Sequence, residues 1–425
     1  MRFNTRFHSR LDEIDAAAWN ALLADDNPFL RHEFLAGLEN SGSLRAEYGW
    51  RAHHLGLYES GELVAAAPLY LKGNSHGEFV FDWSWAAAYE RAGLAYYPKL
   101  LGAVPYSPVT GARLLTRMGN DTAALRATLV AAIAGEVDRH GLSSAHLNFV
   151  LENERPALEQ AGWLARFDWQ FHWKNRAAAD GGWKTFDDFL AALNHKKRKN
   201  IRAERAQVAR AGIVCELRHG DEIDRGEWRA IHRLYLNTFE ERGNHPALTE
   251  EFFRHLGSAM PKQVVAVLCK RSLKSPAGMP VHSSAVTQDR EDGPIIAMAL
   301  MLRSSDTLYG RYWGSAVNVP GLHFEACYYQ GIEYCLREGL TTFEPGAQGE
   351  HKIARGFLPT KTRSYHYIAE PRFRAAVRDA LAREAEALND YRAELLTHSP
   401  YAHLERDPHS TPSPPNPPLE GMAEK

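Results

Sequence analysis

One order of predicted elements occurs twice along this chain, and the repetition narrows the fold more than any single motif does. In the first half a short strand at Arg2–His8 leads into amphipathic helices near Asp15–Leu23 and Arg31–Glu39. Strands at Arg51–Tyr58 and Glu62–Leu71 follow, joined by the hairpin turn Glu59-Ser60-Gly61, and a third strand is predicted at Glu78–Phe81. An Ala-rich helix over Thr122–His140 runs up to Gly141, a residue suited to closing a helix. A strand at Ala145–Val150, a short helix near Arg155–Ala161 and a long strand at Trp163–Trp173 complete the unit. The second half repeats this order. A strand at Ile213–Leu217 precedes helices at Arg225–Arg242 and Thr249–Ala259. Strands are predicted at Gln263–Lys270, Val281–Thr287, Ile295–Leu302 and Thr307–Trp313. A helix at His323–Glu338 stops at Gly339, and a strand at Thr341–Phe343, a helical turn near His351–Arg355 and a strand at Thr362–Ile368 follow. The order repeats; the residues do not. A last helix, Pro371–Leu396, carries proline in its first turn.

A chain of 425 residues is long for one domain and comfortable for two. The boundaries read as 1–180, a basic linker helix over 181–211, and 212–397, with a tail over 398–425 whose proline content and lack of apolar periodicity predict disorder. The formal net charge is -2, so no global field favours nucleic acid and any such contact needs a local patch. Cys215, Cys269, Cys327 and Cys335 form no C-x-x-C pair, which fits free thiols in a reducing compartment. No apolar leader core or membrane-length apolar run is present, and a cytoplasmic protein is expected. The histidines include no H-E-x-x-H, and His53-His54 alternates across a strand, so no metal is expected. No G-x-S-x-G suggests a covalent serine mechanism. The aromatic residues crowding Phe79–Tyr106 read as core and inter-domain packing, with the lining of a pocket for a long or aromatic acyl or sugar group as the alternative.

Ionisable groups concentrate between Tyr309 and Pro359. His323 and Glu325 open a helix, Glu344 ends a strand, and Glu350, His351 and Lys352 follow a glycine-bearing turn. A core segment does not need so many charges, because an unpaired buried charge is costly. Either these groups satisfy one another or they act on a substrate. The acids and histidines can move a proton, Lys352 can stabilise an oxyanion, and Arg311 and Arg355 can hold an anion. Within His195–Arg210, seven cationic residues stand against the single acid Glu204. Arg198, Arg202 and Arg205 form one stripe, while Leu190, Leu193, Ile201 and Val208 form an apolar one. Such a helix suits phosphates, and equally suits a solvated surface.

The segments NPFLRHEFL at Asn27–Leu35, YGRYWG at Tyr309–Gly314, LHFEACYYQGIEYC at Leu322–Cys335 and FEPGAQGEHKIARGFLP at Phe343–Pro359 resemble the FemAB-like family of N-acyltransferases, of the GNAT superfamily. The resemblance implies an α/β (α+β) protein of two tandem GNAT-like domains, each a mixed, mostly antiparallel sheet flanked by helices. It implies transfer of an acyl or aminoacyl group from an activated carrier to an amine by direct attack. Acyl-CoA or aminoacyl-tRNA would serve as co-substrate, with no tightly bound cofactor. A small-molecule amine or a cell-wall precursor would be the acceptor, with tRNA as a possible partner. Two alternatives stay open: an aminoacyl-tRNA-dependent Fem-type enzyme acting on a peptidoglycan precursor, and a non-enzymatic peptidoglycan- or RNA-recognition module. The candidate catalytic set is Glu344, Glu350, His351, Lys352, His323 and Glu325. The candidate binding set is Arg311, Arg355, Arg198, Arg202 and Arg205. One departure bears on the donor. The Q/R-x-x-G-x-G/A loop that seats the CoA pyrophosphate in this fold is missing, and GSAVNVPGLHFE stands at Gly314–Glu325 instead.

Overall fold

The computed structural model describes residues 3–176, 181–240, 243, 245–272, 292–347 and 349–402. Eleven strands form one continuous sheet, and a smaller sheet of four stands beside it. From one edge of the large sheet the order is Ile213–His219, Val264–Ser272, Asp292–Arg303, Thr307–Ser315, Thr342–Glu344, Leu164–Lys174, Leu358–Ile368, Ser144–Asn148, Lys99–Gly102, Leu69–Lys72 and Trp50–Ala52. Most neighbours are antiparallel. The two exceptions are Thr307–Ser315 with Thr342–Glu344, and Lys99–Gly102 with Ser144–Asn148.

The halves exchange their last strands. Leu164–Lys174, from the first half, pairs with Thr342–Glu344 of the second. Leu358–Ile368, from the second half, lies between Leu164–Lys174 and Ser144–Asn148 of the first. A division near residue 180 therefore separates the chain but not the sheet. The helices add a shared core. Phe34 meets Phe252 with ring centres 5.4 Å apart, Phe29 meets Tyr309 at 5.3 Å, and the Glu33 carbonyl lies 2.8 Å from a ring nitrogen of His255. Burying large aromatics on both sides makes this contact part of the fold's stability rather than a hinge.

Local structure follows the sequence pattern with informative exceptions. The helix Thr122–His140 buries Leu125, Leu129, Ile133 and Val137 along one stripe and ends where Gly141 turns to a φ of 60°. The predicted hairpin strands each break in two: His54–Glu59 and Glu62–Ala67 join the small sheet, while Trp50–Ala52 and Leu69–Lys72 join the large one. Pro68, with no N–H for the ladder, sits at one break. No strand forms at Glu78–Phe81, because Phe79 adopts a φ of 62° and Glu78 turns inward to Lys99. The strand predicted at Val281–Thr287 lies outside the described residues.

The basic helix His195–Arg210 is capped by Asn194, whose side chain accepts from the Lys197 N–H. Leu190 and Leu193 precede it on a separate helix, Phe186–Ala192, and its cap, so the apolar stripe spans a bend. The first residues of the predicted tail are ordered. Tyr401 pairs with Leu193, stacks on Trp183 and donates to the Gly356 carbonyl at 2.8 Å. An aromatic side chain with a hydrogen-bonding tip docks here despite the surrounding composition. Residues 403–425 lie outside the description.

Candidate functional site

The parallel pair of the second half, Thr307–Ser315 with Thr342–Glu344, ends early. Its register stops at Tyr309 opposite Glu344, and the strand Thr307–Ser315 runs on while the other chain turns away at Pro345. Behind this gap Glu344 forms an ion pair with Arg311 at 2.8 Å, with side chains only 4% and 2% exposed. Arg311 also donates to the Gly310 and Glu344 carbonyls and faces the Phe29 ring. Burial pushes the Glu344 carboxyl up, while the Arg311 guanidinium pulls it down. Arg311 was expected to hold a substrate anion; instead it neutralises Glu344, a partner that sequence reasoning did not name.

Lys352 reaches the same gap from the turn Glu350–Arg355. Its ammonium donates to the carbonyls of Gly346 at 2.8 Å and Pro345 at 3.4 Å. Burial lowers it to about 8, and the Arg311 charge adds to the effect. His172, on the exchanged strand, is pushed down to about 3 by burial and then by Lys174, Arg311 and Lys352. It is therefore neutral, and its Nε2–H donates to Gln170 Oε1 at 3.1 Å. Gly349 has a φ of 122°, and a Cβ there would lie 2.5 Å from the His351 ring. The turn that delivers Lys352 thus depends on this glycine.

Glu350 faces elsewhere, into a cleft of about 300 Å³ between the halves. Phe79 and Phe81 form one wall, and Phe167, Asp168 and Trp169 of the exchanged strand form another. Ser364 and Tyr391 line it beside Glu350. The Tyr391 hydroxyl donates to Glu350 at 2.5 Å. Burial raises the Asp168 carboxyl.

The remaining candidates are drawn into two other groups. A π-helical turn at Glu325–Tyr329 takes these residues off the α-helical period. Glu325 accepts both Arg205 Nε, at 3.0 Å, and Arg205 Nη2, at 3.1 Å, and Gln330 adds a third bond. Glu333 takes the rest of the Arg205 fork. Arg355 pairs with Glu204 at 2.6 Å and donates to Tyr329 and to the His351 carbonyl. Arg205 and Arg355, expected to meet a donor, are thus ion-paired within the protein and pin the basic helix to the second half. Glu325 is occupied with Arg205 and Gln330. Arg202 makes an exposed pair with Asp187 at 3.2 Å, and Arg198 reaches the Ala191 carbonyl at 3.4 Å. His351 shares a hydrogen bond with Tyr328 at 2.9 Å, and His323 stands near it with ring centres 6.3 Å apart. The expected single cleft is therefore divided: Arg311, Glu344 and Lys352 form one group, Glu350 lines the open cleft, and the other candidates are held elsewhere.

Sequence reasoning passed over His172, Asp168, Tyr391 and Ser364. A signal for Ser364 was present in the tripeptide Ser364-Tyr365-His366, which matches Ser144-Ala145-His146. In a strand, residues two apart share a face.

The large mixed sheet takes one parallel pair from each half. The chain belongs to the FemAB-like family, described as peptidoglycan biosynthesis/recognition, whose model matches residues 10–403. The family match bears out the resemblance read from the motifs. Among solved structures, FemX is 12% identical, covering 88% of this chain and 100% of its own, with a TM-score of 0.50. The C-terminal domain of a protein assigned as a lysylphosphatidylglycerol synthetase from Agrobacterium fabrum is 14% identical, covering 87% of this chain and 96% of its own, with a TM-score of 0.50. A tandem GNAT protein from the clavulanic acid biosynthesis pathway is 10% identical, covering 87% and 99%, with a TM-score of 0.45. No curated protein matches the sequence. Among the described residues, no helix is long and apolar enough to cross a membrane.

Proposed function

We propose that the protein transfers an aminoacyl group from a tRNA to an amine that enters the cleft between the halves, the amine belonging to a cell-wall precursor. The observation that carries the acyl-transfer part is the gap past Tyr309 and Glu344, with Lys352 at its mouth. A carbonyl seated there meets an ammonium that burial has made a stronger hydrogen-bond donor and that two backbone carbonyls hold in place. On the cleft side, Glu350 and Asp168 attract the acceptor's ammonium, which must lose a proton before it can attack. The reaction fits a cytoplasmic location, where charged tRNA is available.

Two observations favour tRNA over CoA. The helix that would seat a pyrophosphate begins at Leu322, and the basic helix packs against its start. A Cβ on Gly321 would lie 3.1 Å from the Glu204 carbonyl oxygen. The second is the outer face of the basic helix. Lys196, Lys199, Arg202 and Arg210 are exposed and fall within about a third of the helix circumference at 100° per residue. Four cations along one face suit the regularly spaced phosphates of a nucleic acid better than the few of a CoA.

The test is titration of the full-length protein with tRNA and with CoA at several salt concentrations. The comparison is with a variant carrying Lys196→Gln, Lys199→Gln, Arg202→Gln and Arg210→Gln. The expected result is tRNA binding whose salt slope falls by roughly one for each phosphate that the variant no longer engages. Equal tRNA affinities and slopes in the two proteins would remove the basic helix from donor binding. Salt-insensitive CoA binding would replace tRNA by CoA as the donor.

A further inference from the structure

The first half holds a second cluster of ionisable groups, which the proposed transfer leaves unused. Behind the parallel pair Lys99–Gly102 and Ser144–Asn148, Lys99 is buried against Glu78 at 2.7 Å and against Asp82. Ser75 and Tyr96 both donate to Asp82. Lys72 lies nearby, its ammonium 3.0 Å from the His76 carbonyl. His146 Nε2 lies 2.8 Å from Ser144 Oγ and 3.3 Å from the Tyr96 hydroxyl. Its Nδ1 lies 2.6 Å from Nδ1 of His366, which stands directly opposite on the exchanged strand. His366 Nε2 lies 3.0 Å from Ser364 Oγ, and Ser364 lines the cleft. Donors and acceptors therefore run unbroken from the cleft wall to two buried carboxylates.

The two imidazoles are suited to passing a proton rather than keeping one. Burial and the neighbouring cations Lys99 and Arg166 push both well below the ordinary histidine range. A neutral imidazole has one N–H and one lone pair, so it can accept at one nitrogen as it releases at the other. Glu78, at the far end, is pushed up to about 7 by burial, and its Oε2 has no hydrogen-bond partner.

We propose that Ser364, His366 and His146 form the outlet by which the acceptor amine's proton leaves the cleft for the carboxylates beside Lys99. The source of that proton rests on the acyl-transfer reading; the outlet itself does not. As the amine nitrogen bonds to the acyl carbon, the bond to the carrier breaks and its electron pair stays with the carrier. The nitrogen loses one proton to Ser364 Oγ, whose own proton passes to His366 Nε2. The His366 Nδ1 proton moves to His146 Nδ1, the His146 Nε2 proton passes through the Tyr96 hydroxyl to Asp82, and Lys99, bonded to both carboxylates, takes that proton from Asp82 as it gives one of its own to Glu78. The carrier takes a proton from water, and the stored proton returns to water along the same chain once product has left. No charge accumulates over a cycle.

The test needs no substrate. Full-length protein labelled with 15N-histidine is transferred into deuterated water, and NMR follows exchange of the proton shared by His146 and His366. Wild type is compared with Ser364→Val and Ser364→Thr, which have the same shape and differ in the hydroxyl. Without the hydroxyl, exchange has to wait for local opening of the buried strand, so Ser364→Val is expected to slow it about tenfold while Ser364→Thr keeps the wild-type rate. Ser364→Ala provides the same comparison if a branched side chain does not fit the strand. Equal exchange in wild type and in the variants lacking the hydroxyl would overturn the proposal, as would slowing that Ser364→Thr shares. Loss of the acyl-transfer reading with slowed exchange in Ser364→Val would leave the outlet standing and remove only its source.

Discussion

Each half supplies one parallel strand pair and buries charge beside it, but the charge is handled differently. In the second half Arg311 and Glu344 form one closed pair, and Lys352 is held by backbone carbonyls. In the first half Lys99 serves two carboxylates, and the hydrogen bonds continue through Tyr96, His146 and His366 to the cleft. One cluster is neutralised locally and the other is connected to the cleft wall. The difference suits a division of labour in which the second half holds the acyl group and the first handles the proton. The exchanged strands make this possible, since His366 and His172 each lie in the sheet of the half that did not encode them.

The largest effect tests that exchange. A fragment ending at residue 176 loses both exchanged neighbours of Leu164–Lys174, and the sheet of its own half loses Leu358–Ile368. It is expected to be unfolded by circular dichroism when made alone and to fold only when co-expressed with the remaining chain. A cooperative melt of the lone fragment would break the comparison at its base.

The next effect tests the closed pair. Arg311→Ala leaves a carboxylate buried without its counter-ion and is expected to cost about 3–5 kcal/mol in urea unfolding. Replacing both partners, Arg311→Met with Glu344→Leu, should recover most of that loss. Equal destabilisation in the single and double variants would show that the gap requires charge.

Function gives the third. Lys352→Met and Glu350→Gln are each expected to lower transfer about a hundredfold or more, with thermal melts near wild type. Full activity in both would move the chemistry away from the gap past Glu344 and the adjoining cleft.

The smallest effect is a pH signature of the buried cluster around Lys99. The Glu78 carboxyl is raised to about 7 from 4.5, so the folded state binds the extra proton between these values. The stability this group contributes is complete below about 4.5 and is lost as the pH rises through about 7. The melting temperature of wild type, measured relative to Glu78→Gln, should therefore fall over that window. A difference that stays constant with pH would mean that Glu78 is ionised throughout, with Lys99 outweighing burial.

Much of the fold was legible because it depends on local rules. Apolar periodicity and Gly141 placed the helix Thr122–His140, and Gly339 placed the end of its counterpart. The motif Gly349–Lys352 was legible for the same reason: a glycine-bearing turn followed by ionisable groups is unusual within a few residues. The partners were not. Arg205 reaches Glu325 across 120 residues, and Arg311 was set down for an anion when its counter-charge was Glu344. Charges on one helix stripe look alike in sequence whether they face water or a carboxylate, so Arg205 and Arg202 could not be told apart.

By itself, then, the sequence determined the repeated element order, the caps and turns, and the places where chemistry is dense, since each depends on residues close along the chain. Only the tertiary structure decided the strand exchange, the ion-pair partners and the alignment of His146 with His366. Those depend on which distant strands lie side by side. That choice is made by the burial of whole faces against one another, which no local stretch encodes.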